Sequence, residues 1–161
     1  MEEKKKREFR PKFNEELLGD NPFALKLQIQ VNIKEFHDQY KKDKDGDWIP
    51  VFSELEADKA CKVYVDSERR LRVNKLSPRS KELLMWLFYE VKSGQDYLWL
   101  NRVRYMDENN ISSPNTYRTA LNELITGGFI TRTVVNAVYW INPSIFFNGS
   151  RIRKFPNSIK H

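Results

Sequence analysis

Cysteine and histidine are scarce in this chain of 161 residues, which contains one cysteine and two histidines. One thiol cannot form an internal disulfide, and Cys61, His37 and His161 are too few to build a zinc cluster. The same shortage excludes the paired-histidine metal site of a nicking nuclease. The chain also lacks a GxxxxGK[ST] loop for nucleotide phosphates and a GxSxG elbow for a serine nucleophile. We therefore expect no enzymatic activity and no cofactor.

Long apolar runs are missing as well. No stretch approaches the roughly 20 apolar residues that a membrane-spanning helix needs. The charged start, residues 1–10, has no apolar stretch behind it that could act as a signal peptide. Aromatic residues are plentiful, with 10 Phe, 7 Tyr and 4 Trp, and they can form a core. We expect a soluble, intracellular, globular protein without a membrane partner.

Four acidic residues have the spacing of a calcium-binding loop, with Asp43, Asp45, Asp47 and Glu54 at its positions 1, 3, 5 and 12. However, Trp48 occupies the position at which such a loop needs glycine to turn the chain. A turn containing Asp-Gly between two strands accounts for the same residues. We therefore expect no metal site in this segment.

The net charge of +6 is unevenly distributed along the chain. Residues 1–74 carry equal numbers of basic and acidic side chains, whereas residues 75–149 have eight basic and six acidic ones. The tail, residues 150–161, has no acidic residue, and its basic residues are Arg151, Arg153, Lys154 and Lys160. Such a surplus indicates either a surface that neutralises phosphates or a solvated tail that maintains solubility.

Composition divides the chain into four segments. Residues 1–20 are a charged arm, residues 21–74 a small β-rich segment, residues 75–149 a helical segment that ends in a hairpin, and residues 150–161 a basic tail. We expect the arm to be extended or a frayed helix and the tail to be extended, because both are highly charged and have few apolar residues.

Alternating apolar residues predict several strands in the β-rich segment. Residues 25–33 have the period of a half-buried strand, and residues 48–52 form a short apolar run in which Pro50 indicates a sheet edge. Residues 63–73 alternate on both sides of a turn at residues 66–68, which predicts a second hairpin.

Residues 77–149 predict a helix, a short strand, two further helices and a hairpin, in that order. The first and third helices each begin with a serine N-cap followed by proline, at Ser77 and Pro78 and again at Ser113 and Pro114. An apolar stripe at helical spacing places the first helix in the core. The stripe consists of Leu83, Leu84, Leu87, Phe88 and Val91.

Residues 97–100 predict the short strand, and Val103 and Met106 are expected to face inward from the second helix. The turn that follows contains Asn110 where the chain needs a left-handed residue, which asparagine tolerates. Ile111 is then expected to fill the core between the two helices.

Helical periodicity separates two faces of the third helix. The core face consists of Tyr117, Ala120, Leu121, Leu124 and Ile125. The outward face consists of Asn115, Arg118, Thr119 and Asn122, with Thr116 at its margin. Asparagine can pair with adenine, arginine with guanine or phosphate, and threonine with phosphate or the thymine methyl group. The alternative is an ordinary polar face that contacts only water, and Arg118 is the single cation of this face.

Gly127 and Gly128 end the third helix, and residues 129–134 and 138–141 are expected to pair as a hairpin. Arg132 in its first strand could reach a phosphate or the minor groove. This order of elements predicts an α+β protein: a winged helix-turn-helix domain with a small N-terminal β segment and extended basic termini.

Three stretches resemble the RepL-type replication initiators of plasmids and phages: LSPRSKELLMWLFY, SSPNTYRTALNELITGGFI and YWINPSIFFNG. The resemblance covers about residues 70–149 and is sharpest in INPSIFFNG, residues 141–149. It implies sequence-specific binding at a replication origin without nuclease activity, in the bacterial cytoplasm or a phage-infected cell. The positions that it assigns to DNA contact are Asn115, Thr116, Arg118, Thr119, Asn122 and Arg132.

Two functions from different classes remain open. The first is a dimeric initiator or regulator that binds double-stranded DNA through its third helix and places Arg151, Arg153 and Lys154 on phosphates. The second is a structural or adaptor protein of a phage virion or another large assembly, which contacts other proteins through its β segment and termini.

Overall fold

The structure, a computed structural model, describes residues 12–30, 40–50, 61–64 and 66–160. These residues contain five α-helices: α1 (Ser67–Asn74), α2 (Pro78–Glu90), α3 (Arg102–Glu108), α4 (Pro114–Thr126) and α5 (Arg151–Lys154). They also contain nine short strands: β1 (Ile29–Gln30), β2 (Tyr40–Lys42), β3 (Trp48–Pro50), β4 (Cys61–Val63), β5 (Tyr97–Trp99), β6 (Ile130–Arg132), β7 (Val138–Ile141), β8 (Phe146–Asn148) and β9 (Ile159–Lys160). Single 3₁₀ turns occur at Glu15–Leu18, Ala24–Lys26 and Pro156–Ser158. The chain is therefore α+β, as predicted.

The elements from α2 to β7 follow the predicted order of helix, strand, helix, helix and hairpin. Strands β5, β7 and β6 form an antiparallel sheet with β7 in the middle. Local signals account for the boundaries: Ser77 accepts a hydrogen bond from the Ser80 N–H at the start of α2, and Asn101 does the same for the Arg104 N–H at the start of α3. Asn110 is left-handed, with φ 53°, as predicted.

The short helix α3 has a different inward face from the one that we predicted. Val103, expected in the core, is 64% exposed, and Met106 is partly buried against the core. Tyr105 is fully buried instead, with its ring 5.3 Å from that of Trp86. A helix of two turns can place either neighbouring face inward, and here the large aromatic side chain fills the space beside α2.

Strand β7 is buried on both faces of its sheet. Tyr139 and Ile141 belong to the main core with the helices, whereas Val138 and Trp140 belong to a second apolar cluster on the other face. Buried Leu18 also belongs to this second cluster, and Phe13 and Phe23 pack against it. The strands therefore lie between two apolar layers.

The N-terminal arm is attached to this outer layer rather than extended, at least over residues 12–20. The Tyr97 hydroxyl donates a hydrogen bond to the Glu15 carboxylate. The buried Asn21 amide donates to the carbonyl oxygens of Asp96 and Ile141, at 3.3 and 2.9 Å. Residues 1–11 of the predicted arm lie outside the described residues.

Predictions for the β-rich segment are confirmed in part. Strands β2 and β3 form a hairpin, and Asp43 at its turn accepts hydrogen bonds from the backbone N–H groups of Asp45 and Asp47, both at 2.9 Å. Of the predicted strand over residues 25–33, only β1 is seen, because residues 24–26 form a 3₁₀ turn and residues 31–33 lie outside the described part.

The predicted second hairpin over residues 63–73 is wrong, because α1 occupies its second half. Asp66 caps this helix by accepting a hydrogen bond from the Arg69 N–H at 2.8 Å. Glu68 in the first turn and Arg72 in the last also suit the helix dipole. The helix cap and these charges favour a helix more strongly than the two short apolar alternations favour strands.

The prediction of an extended C-terminal tail is also wrong over residues 150–160. Helix α5, a 3₁₀ turn and β9 follow one another, and β9 pairs in parallel with β1, aligning Ile159 with Ile29. Strand β8 pairs with β4, and the Phe155 ring packs 5.6 Å from that of Phe147. The tail closes the fold by long-range pairing.

The INPSIFFNG stretch has a structural role. The Asn142 amide donates to the Gly128 carbonyl at 2.7 Å, and the Asn148 amide donates to the Val91 carbonyl at 2.9 Å. Both asparagines are buried, and the apolar residues between them lie in the main core. Because buried amides need such partners, these residues hold the hairpin against α2 and the end of α4.

Candidate nucleic-acid interface

Helix α4 exposes the polar face that its sequence predicts. Asn115, Arg118, Thr119 and Asn122 are exposed, Thr116 is half-buried, and the opposite face is packed in the core, chiefly against α2. Arg118 Nη1 lies 3.5 Å from Asn115 Oδ1. The outward side chains are hydrogen-bonding groups of a length that can reach a partner surface.

Glu123 fixes the position of α4 against the first turn of α2. Its carboxylate accepts hydrogen bonds from the Ser80 hydroxyl at 2.6 Å and from the Ser77 N–H at 2.9 Å. These bonds, the one from Ser80 first, lower the pKa of Glu123. The carboxylate also lies at the positive end of the α2 dipole. The outward face of α4 is thus presented by a defined contact between two helices.

The β6–β7 hairpin and the start of α3 place cations near the beginning of α4. Arg132 on β6 and Arg102 on α3 are both exposed, and both act electrostatically on the buried Tyr117 hydroxyl of α4. Burial raises the pKa of that hydroxyl, and the two cations oppose the rise. Arg132 and Arg102 are therefore near the Tyr117 hydroxyl, in the first turns of α4. Sequence reasoning named Arg132 but missed Arg102.

Helix α1 supplies further cations beside the other end of α4. A cleft separates the two helices, and its lining includes Arg72 and Lys75 from the α1 side and Thr119 and Asn122 from α4. Sequence reasoning missed these cations because it assigned residues 63–73 to a hairpin. The Asp66 cap and the acidic first turn were the signals that could have identified the helix.

The basic residues of the tail have other surroundings. The Arg151 guanidinium stacks 3.3 Å from the centroid of the Tyr64 ring and donates to the Pro143 carbonyl at 3.0 Å, and burial lowers its pKa. Lys154 Nζ lies 3.9 Å from Asp96 Oδ1, in a cavity lined in part by Trp140 on the outer side of the sheet. Arg153 is exposed.

Arg132 is thus exposed near Tyr117, whereas Arg151 and Lys154, two of the three tail residues predicted to bind phosphates, make contacts within the protein. Within the described residues, no group of three or more His, Cys, Asp or Glu side chains could hold a metal ion. No helix among those residues has both the length and the apolar character needed to cross a membrane. Searches of protein-family models, curated proteins and solved structures found no match to this chain.

Proposed function

We propose that residues 75–149 are a winged helix-turn-helix domain and that the protein binds double-stranded DNA sequence-specifically. In this proposal α4 enters the major groove and the β6–β7 hairpin is the wing. The observation that carries it is the exposed polar face of α4, which Glu123 holds in place and which shares a cleft with the cations Arg72 and Lys75.

Each side chain of that face has a role in the proposal. Asn115 and Arg118 lie in the first turns of α4, the part of a recognition helix that meets base edges. An asparagine amide can bind adenine and an arginine guanidinium can bind guanine, in each case through two hydrogen bonds. Thr116, Thr119 and Asn122 complete the contact surface, while the exposed Arg132 and Arg102 bind phosphates.

The proposal extends to a replication origin because of the RepL-type resemblance. The chain would act there by binding, as a homodimer on a two-fold symmetric site, without cleaving DNA. The residues that carry the sharpest part of the resemblance support the fold through Asn142 and Asn148, and the specificity would come from α4.

Selection of bound duplexes from a random pool tests the proposal. We expect enrichment of one motif, with at least about a thousandfold preference over unrelated duplex. Arg118→Ala should reduce that preference by about 5- to 150-fold, equivalent to the roughly 1–3 kcal/mol of one paired base contact. Lys41→Ala is the matched control, because it removes an exposed cation from β2, which lies far from α4 in the sequence. It should leave the site preference unchanged. A pool that shows no enrichment would contradict the proposal.

One observation favours the second function, a component of a larger assembly. Met85 and Tyr89, one turn apart on α2, are 53% and 83% exposed, which is unusual for large apolar side chains at helical spacing. Co-sedimentation with isolated particles, compared between the wild-type chain and Tyr89→Ser, tests it. This function would be favoured over the first if the wild-type chain, but not Tyr89→Ser, co-sediments with the particles and if the duplex selection enriches no motif.

A further inference from the structure

A cleft of about 540 Å³ runs between α1 and the outward side of α4. Arg72, Lys75 and Leu76 contribute to one wall. The other wall consists of Thr119, Asn122, Glu123, Thr126 and Gly127. Leu76 is buried in the main core, so the C-terminal end of α1 is held in place beside α4. The cleft therefore lies next to the residues that we assign to base contact.

The cations of the cleft are available to an added ligand. Lys75 is exposed and has no ion-pair partner among the described residues. Arg72 pairs with Glu68 one turn earlier, at 2.7 Å, but the two side chains are 41% and 74% exposed. Such exposed pairs contribute only about 0.3–0.5 kcal/mol, so a phosphate can replace the carboxylate at little cost.

Arg72 also reaches across to the far wall. A Cβ placed on Gly128, just beyond the end of α4, would lie 3.9 Å from Arg72 Nη1. The guanidinium thus bridges the end of the cleft, and the two threonine hydroxyls and the Asn122 amide offer further hydrogen-bond donors inside it.

Glu123 is the one acidic side chain of the cleft lining. Its carboxylate accepts hydrogen bonds from Ser77 and Ser80 and faces the positive end of the α2 dipole. Its negative charge is therefore largely compensated within the protein, and the remaining charge of the lining is positive.

We propose that this cleft binds the phosphodiester backbone of one strand of the duplex whose bases α4 contacts. The inference rests on the proposed function and adds to it a second element, α1, whose Arg72 and Lys75 bind consecutive or neighbouring phosphates. A strand that leaves the major groove beside a recognition helix passes its flank, and donors and cations line that flank here. Phosphate contacts of this kind position a protein without selecting a sequence.

The test is the salt dependence of binding for Arg72→Ala/Lys75→Ala, measured by fluorescence anisotropy on selected and unrelated duplexes. Loss of two phosphate contacts should reduce the slope of log affinity against log salt by about 1.8 on both duplexes. Between 50 and 200 mM salt, the wild type should then lose about 12-fold more affinity than the variant. Site preference should stay unchanged, in contrast with Arg118→Ala.

Two controls make the result specific. Lys41→Ala/Lys44→Ala removes the same charge from the β2–β3 hairpin and should keep the wild-type slope. Arg72→Lys/Lys75→Arg keeps both positive charges and should also keep the wild-type salt slope. Lys75→Ala alone, at an exposed position, should reduce the slope by about 0.9 even if the double variant unfolds. A wild type that binds no duplex overturns the proposed function and this inference together, whereas a wild type that binds with a slope equal to that of the alanine variants overturns this inference alone.

Discussion

Replacing Glu123 with glutamine removes the negative charge that joins α4 to the N-terminus of α2 while keeping the shape of the side chain. The carboxylate accepts two hydrogen bonds, at 2.6 and 2.9 Å. A hydrogen bond to a charged group contributes about 1 kcal/mol more than a neutral one. Two such bonds give about 2 kcal/mol, which solvent screening of this half-buried group reduces to about 1 kcal/mol.

Thermal unfolding followed by circular dichroism measures this effect. For a chain of this size, a loss of about 1 kcal/mol lowers Tm by roughly 2–4 °C. Glu82→Gln is the matched control, because Glu82 pairs with Arg79 one turn away on α2 and, like Glu123, is half-buried. The control should change the free energy of unfolding by less than about 0.5 kcal/mol.

In acid, the wild-type protein and the Glu123→Gln variant should have the same thermal stability. The hydrogen bonds hold the pKa of Glu123 below its ordinary value in the folded protein. Its stabilising contribution is therefore present above the unfolded pKa of about 4.3 and is lost as the pH falls through the lower folded pKa. The Tm gap between wild type and Glu123→Gln should be full at pH 7 and should close below about pH 4. An equal Tm at pH 7, or a gap that persists in acid, would refute the reasoning.

Three further substitutions test the packing. Tyr105→Phe should leave the free energy of unfolding in urea unchanged or raise it by up to about 1 kcal/mol. The reason is that the buried Tyr105 hydroxyl has no hydrogen-bond partner in the described part of the chain. A clear loss of stability would indicate a partner for this hydroxyl. Asn142→Ala should cost about 1–3 kcal/mol by leaving the Gly128 carbonyl without its amide donor, and an unchanged urea midpoint would contradict the role given to Asn142. Arg151→Ala should lower Tm, because it removes the stacking of the guanidinium on Tyr64. The slope of DNA affinity against salt should keep the wild-type value. A reduced slope would show that Arg151 contacts DNA.

The central part of the fold was predictable because its signals are local. Serine followed by proline at 77 and 113, the left-handed Asn110 and the paired glycines at 127 and 128 each mark a boundary within a few residues. The spacing of apolar residues on α4 then determined its outward face, because a helix of 13 residues is long enough to define one.

The flanking segments were not predictable in the same way. The pairing of β1 with β9 and of β4 with β8 joins residues more than 80 positions apart, and no local signal specifies such partners. Helix α1 was missed because two short apolar alternations resemble a hairpin. The cations that α1 brings to the candidate interface could be assigned only once its position beside α4 was known.

The most direct test of DNA contact through α4 is a ¹⁵N spectrum of the side-chain amides, recorded with and without the selected duplex. The amides of Asn115 and Asn122 on the exposed face should show the largest shifts, while those of the buried Asn142 and Asn148 should keep their positions. Unmoved Asn115 and Asn122 signals in a protein that is saturated with duplex would contradict the account.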